Sequence, residues 1–213
     1  MARKRKAGNA GPARARIPRS GARLPAPGAG GSAPRRIVRI HNGHPGLSLQ
    51  RREVTALIRL LDARAAEILA APARAGGIRA LPPGELSLAL LTAPALARLH
   101  DTFMGDASPT DVITFPRPAA GAWVGPAGEI CVSADAARGF AAAHRRDFSE
   151  ELALYIVHGW LHLAGHDDRD PAARKRMRAA EDRALRLARA AGRIPRFTLA
   201  AVVRSPAPPA PGG

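Results

Sequence analysis

The chain has 213 residues, 46% of them hydrophobic, which is enough for one ordinary domain with tails. Its single cysteine, Cys131, excludes an internal disulfide and a cysteine-built metal site, and fits a reducing compartment. The net charge of +16 is unevenly spread: no Asp or Glu precedes Glu53, residues 1–52 hold 13 of the 33 Lys and Arg, and the remainder carries 20 basic against 17 acidic residues.

A basic arm of this kind attracts phosphates without regard to sequence. Residues 1–35, made mostly of Arg, Pro, Gly and Ala, are expected to form a disordered arm, and 193–213 a mostly disordered tail, with one domain over 36–192. No stretch reaches the length of a membrane span, and the start lacks the apolar segment of a secretory signal. Pro and Gly also break any amphipathic targeting helix there, so a cytoplasmic protein is expected.

Ile37, Val38 and Ile40 predict a strand over Arg36 to His41. Ser48 is the expected cap of a helix whose apolar positions are Val54, Leu57, Ile58, Leu61 and Ile68. A loop is expected from Pro72 to Pro83, a strand over Glu85 to Thr92, and a helix over Ala93 to Thr102. Thr110 to Phe115 reads as a strand ending at Pro116, followed by a Pro- and Gly-rich connection to Gly128. Glu129 to Ser133 alternates, with Ile130 and Val132 on one face and Glu129, Cys131 and Ser133 on the other.

Ala134 to His144 is expected to be helical. Ser149 is the expected cap of a further helix, with Glu150 and Glu151 in a first turn that favours acids. Its body from Leu152 to Ala164 is apolar nearly all round, which predicts a buried central helix. Asp170 and Pro171 begin the last helix, which carries Met177, Ala180, Ala184 and Leu187 on one stripe and ends near Gly192.

The most informative stretch is HGWLHLAGHDD, His158 to Asp168. Histidines four apart lie one turn above each other on one helix face, the geometry two imidazoles need to share a metal ion. Gly165 can adopt the left-handed conformation that ends a helix, and a residue three further on, Asp168, can then return to the same ion. His166 is a rival third ligand, one residue past the glycine. Donors of nitrogen and oxygen alone favour one zinc ion, with nickel or manganese as alternatives. The Glu that follows the first His in HExxH peptidases is here Gly159, which disfavours that mechanism.

HGWLHLAGHDD resembles the H-G-x-L-H-L-x-G-x-D-H signature of the YbeY endoribonuclease family of rRNA maturation factors. PTDVITFP (Pro109 to Pro116) and GEICVSADAA (Gly128 to Ala137) are similar to two further blocks of that family, in the same order and spacing. The resemblance covers about residues 36 to 190. It implies an α+β, zincin-like domain with a small mixed sheet of about four strands packed against helices. It also implies a zinc-dependent, single-strand-specific endoribonuclease acting in ribosomal RNA maturation and ribosome quality control with the small ribosomal subunit.

Carried over by position, His158 and His162 match the first two zinc ligands, with His158 expected to be essential for catalysis, and Asp168 stands where most members have His. The family's RNA-contacting Arg falls at Met104, after Phe103, and Arg117, Arg145 or Arg146 are the candidates to replace it. The changed ligand and missing Arg leave an alternative, a non-catalytic assembly factor with a structural zinc. A zinc peptidase is a weaker alternative, given Gly159.

Overall fold

The sheet at the centre of the protein is assembled from the strands whose side chains alternate most clearly in the sequence. In the computed structural model, which describes residues 36–69, 81, 84–117 and 126–200, β1 (Ile37–Asn42), β3 (Glu85–Leu91) and β5 (Gly128–Ser133) run parallel. β4 (Val112–Pro116) closes one edge antiparallel to β5, giving the order β1-β3-β5-β4. This is the expected small mixed sheet within an α+β fold. The basic arm over 1–35, most of the loop over 72–83, most of the 116–128 connection and residues 201–213 lie outside the described residues.

Helices α1 (Arg51–Ala63) and α2 (Ala65–Ile68) follow the short strand β2 (Leu47–Leu49). The expected cap at Ser48 is corrected here: Ser48 is the middle residue of β2, and the helix begins at Arg51 behind Gln50 without a side-chain cap. Pairing of β2 with β6 (Phe197–Leu199), over Ser48 and Thr198, takes the backbone that a cap would need. Part of the expected C-terminal tail is therefore a strand, because its partner lies about 150 positions away in sequence, beyond any local signal.

Ser149 is also corrected as a cap. Asp147 accepts the Glu150 N–H at the start of α5 (Phe148–Leu163), while Ser149 Oγ exchanges hydrogen bonds with the backbone of Phe197 and pins β6. Asp170 and Pro171 begin α6 (Pro171–Ala190) as expected, the carboxylate accepting the Ala173 N–H.

The main core gathers around α5, where Leu152, Ile156, Trp160 and Leu161 are fully buried against the sheet, α1 and α6. Trp160 Nε1 donates to Asp62, which also holds Arg36, so the buried indole has its partner. Gly159 sets how closely α5 approaches the sheet. A Cβ there would lie 2.5 Å from Ile130 Cγ2 and 3.2 Å from Val112 Cγ1, so any larger residue would push the helix off β4 and β5.

On the opposite face α3 (Ala93–Met104), capped by Thr92, packs Leu96 over Ile113 and Cys131. Helix α4 (Ala134–His144) is capped by Ser133, and its Asp135 accepts from the Ala93 N–H and from His44, joining three segments.

Candidate metal centre

His158 and His162 lie on one face of α5, as their spacing requires, with their Nε2 atoms 2.9 Å apart. The helix then ends in a turn closed by two bonds, Gly165 N–H to the His162 carbonyl and His166 N–H to the Leu161 carbonyl. Gly165 has φ 91°, the left-handed conformation that only glycine adopts without cost. The chain reverses there, and Asp168 Oδ2 comes to 3.7 Å from His158 Nε2. One donor atom each from His158, His162 and Asp168 fall within 4.8 Å of one another, in a half-buried position.

His166 is not in this group. Its backbone carbonyl instead accepts from His162 Nδ1 at 3.1 Å, so the turn that ends the helix also orients a histidine. Across the site, Glu181 of α6 accepts from His158 Nδ1 at 2.6 Å. With both Nδ1 atoms donating outward, both Nε2 lone pairs are left facing inward toward Asp168. Two nitrogens held by one tetrahedral zinc stand about 3.3 Å apart. The donor set and its spacing therefore fit a divalent ion that takes nitrogen and oxygen ligands.

Glu181 and Arg174 are the residues that sequence reasoning missed. Arg174 donates to the carbonyls of Asp168 and Arg169, clamping the loop that carries Asp168 onto the first turn of α6. The available signal for Glu181 was its place beside the apolar stripe of a helix otherwise rich in Arg.

The electrostatics follow the same division. Burial pulls His158 down, but the Glu181 hydrogen bond and charge, with Asp111 and Asp168, carry it above its ordinary value. His162 lies below its ordinary value through burial and the neighbouring His158. His166 is lowered by burial and then by Arg183 and Arg176.

Phe103 and Met104 are exposed at the end of α3, and Met104 offers no charge. Of the three candidate arginines, Arg146 is engaged by Glu151 and sits over the Phe140 ring. Arg117 lines a cavity of about 300 Å³ together with Phe103, Phe115 and Glu129, next to the position the family's Arg would take. Ser133 is fully buried as a helix cap and does not border the site.

These features define an α+β protein with a His, His, Asp centre held between two helices. The family model described as Endoribonuclease YbeY matches residues 50–189. The chain belongs to the YbeY family. It is 38% identical over 104 residues to the endoribonuclease YbeY of Myxococcus xanthus, a match covering 47% of this chain and 35% of that protein. It is 41% identical over 114 residues to that of Mycolicibacterium paratuberculosis, covering 49% of this chain and 64% of that protein. The chain thus spans less than two thirds of the length of either relative. A Thermotoga maritima protein solved in solution is 21% identical with a TM-score of 0.46, over 73% of this chain and 93% of that one.

Proposed function

We propose that the protein is a metal-dependent endoribonuclease that cuts single-stranded regions of ribosomal RNA during maturation and quality control. The observation that carries this reading is the pair of inward-facing Nε2 atoms beside Asp168, each fixed by its own Nδ1 partner, in a chain of the YbeY family. His158, His162 and Asp168 would hold one zinc ion, and His158 is the residue whose loss should abolish catalysis.

When bound, the ion supplies Lewis acidity toward a phosphate oxygen or a water. The protein's own part is to keep the donors in place. Glu181 holds the proton on His158 Nδ1, the His166 carbonyl holds that on His162 Nδ1, and Arg174 fixes the loop that presents Asp168. A carboxylate in the third position lowers the net charge of the site relative to a third imidazole. The close packing at Gly159 leaves no room for the Glu that HExxH peptidases use as a base, which argues against a peptidase. No helix among the described residues is long and apolar enough to cross a membrane. The partner proposed for the protein is the small ribosomal subunit, in the cytoplasm.

Cleavage of labelled single-stranded RNA by the full chain should be lost in His158→Ala and on chelation. Persistence of cleavage in the variant would refute the reading. Metal analysis of Asp168→Ala should show loss of the ion, whereas His166→Ala should retain it.

A further inference from the structure

A second basic feature lies away from the metal centre. Four arginines from three segments line one cleft of about 750 Å³: Arg52 from the first turn of α1, Arg189 from the last turn of α6, and Arg193 and Arg196 from the chain leading to β6. Ile194 and Ala56 form part of the apolar lining.

Arg193 and Arg196 are positioned by backbone contacts that do not use their charge. Gly192, at φ 61°, closes the end of α6 with the Arg193 N–H bonded to the Ala188 carbonyl. Glu53 also lines the cleft, and its Oε2 accepts the Arg196 N–H. Arg189 is paired in bidentate fashion with Glu150. The guanidinium groups of Arg52, Arg193 and Arg196 have no acidic partner among the described residues.

We propose that this cleft binds the phosphodiester backbone of the RNA beyond the segment held at the metal centre, which rests on the ribonuclease reading above. Guanidinium forks match phosphate oxygens, and several converging cations suit a chain of phosphates better than one ion. The route between the sites is basic as well. Arg178, Arg186 and Arg189 fall on one exposed stripe of α6, interrupted by Asp182, and Arg193 follows just past the helix end. Glu181, which touches His158, is eight residues before Arg189, about 12 Å along the helix axis.

The test compares the full-length metal-loaded protein with the triple variant Arg52→Gln, Arg193→Gln, Arg196→Gln. The probe is a single-stranded oligodeoxyuridylate of about 30 nucleotides, which carries the phosphates but lacks the ribose of a ribonuclease substrate. The slope of log affinity against log salt should fall by about 2, at roughly 0.7 per lost phosphate contact, and the corresponding Arg→Lys triple should restore most of it. Cleavage of an RNA of about 5 nucleotides should be unchanged in both variants. An unchanged slope in the Gln variant would overturn the proposal, as would displacement by polyglutamate of a ligand that the oligonucleotide cannot displace. A reduced slope in a protein that cleaves no RNA would keep the cleft and discard the ribonuclease reading.

Discussion

On the α5 face of the sheet, Ile130 and Val132 are fully buried beneath a helix that lies close enough to leave room only for glycine at 159. On the α3 face, Ile113 and Cys131 form a smaller cluster with Leu96, flanked by the partly buried Ala89, Leu91, Leu99 and Phe115, and the end of that helix leaves Phe103 and Met104 exposed beside a cavity. The thick face carries His158 and His162, two of the three candidate metal donors, on its central helix. The thin face carries Met104, where the family resemblance places an Arg. Precision is needed where lone pairs must converge, and a dense core supplies it because packed side chains cannot move independently.

The comparison can be broken most directly at Gly159. Gly159→Leu should cost about 3 kcal/mol or more, since the new atoms meet the side chains of Ile130, Val112 and Thr114. Chemical denaturation reads this as a midpoint shift, and an unshifted midpoint would mean that α5 does not sit as close as described. Cavity formation should rank the two faces next: Ile130→Ala should cost about 4 kcal/mol and Ile113→Ala about 2, near the two ends of the range for such truncations. Equal losses would remove the distinction.

Glu181→Ala should leave the fold intact but weaken metal affinity about 10- to 100-fold in a competition titration with a chelating dye. In metal-free protein the same change should lower the His158 pKa, because burial is then opposed only by the weaker pull of Asp111 and Asp168. The sign for stability follows. A histidine raised in the folded state adds stability below its unfolded pKa, and loses it as pH rises through the folded value. Glu181→Ala should therefore flatten that part of the profile.

Smaller effects belong to the thin face. Burial, with some help from the Glu129 charge, pushes the Cys131 thiol up to about 11. Native protein at neutral pH should react with a thiol reagent far more slowly than unfolded protein. For a thiol raised in this way, rising pH favours the unfolded state from about pH 9 upward. Phe103→Ser should change stability by only about 0.5 kcal/mol, the worth of its edge contact with Phe115. Equal alkylation rates would show that Cys131 is open to solvent on this face, and a large loss at Phe103 would show that the face is sealed more tightly than described.

The sequence by itself determined the elements whose signals are local. The alternation of Glu129 to Ser133, the apolar run of α5, the Asp170–Pro171 start of α6 and the His158, His162, Gly165 spacing all lie within a few residues of the structure they specify. The family, too, was legible from three short blocks. Tertiary structure alone decided what depends on distant partners. Ser48 and Ser149 had the chemistry of caps, but a strand arriving from Phe197 took both positions for its own hydrogen bonds. Glu181 meets the candidate metal donors only because α6 folds back along α5, and Arg52 joins the other three arginines of the cleft from more than 130 residues away. Local spacing sets which way a side chain points, whereas long-range packing sets what it meets.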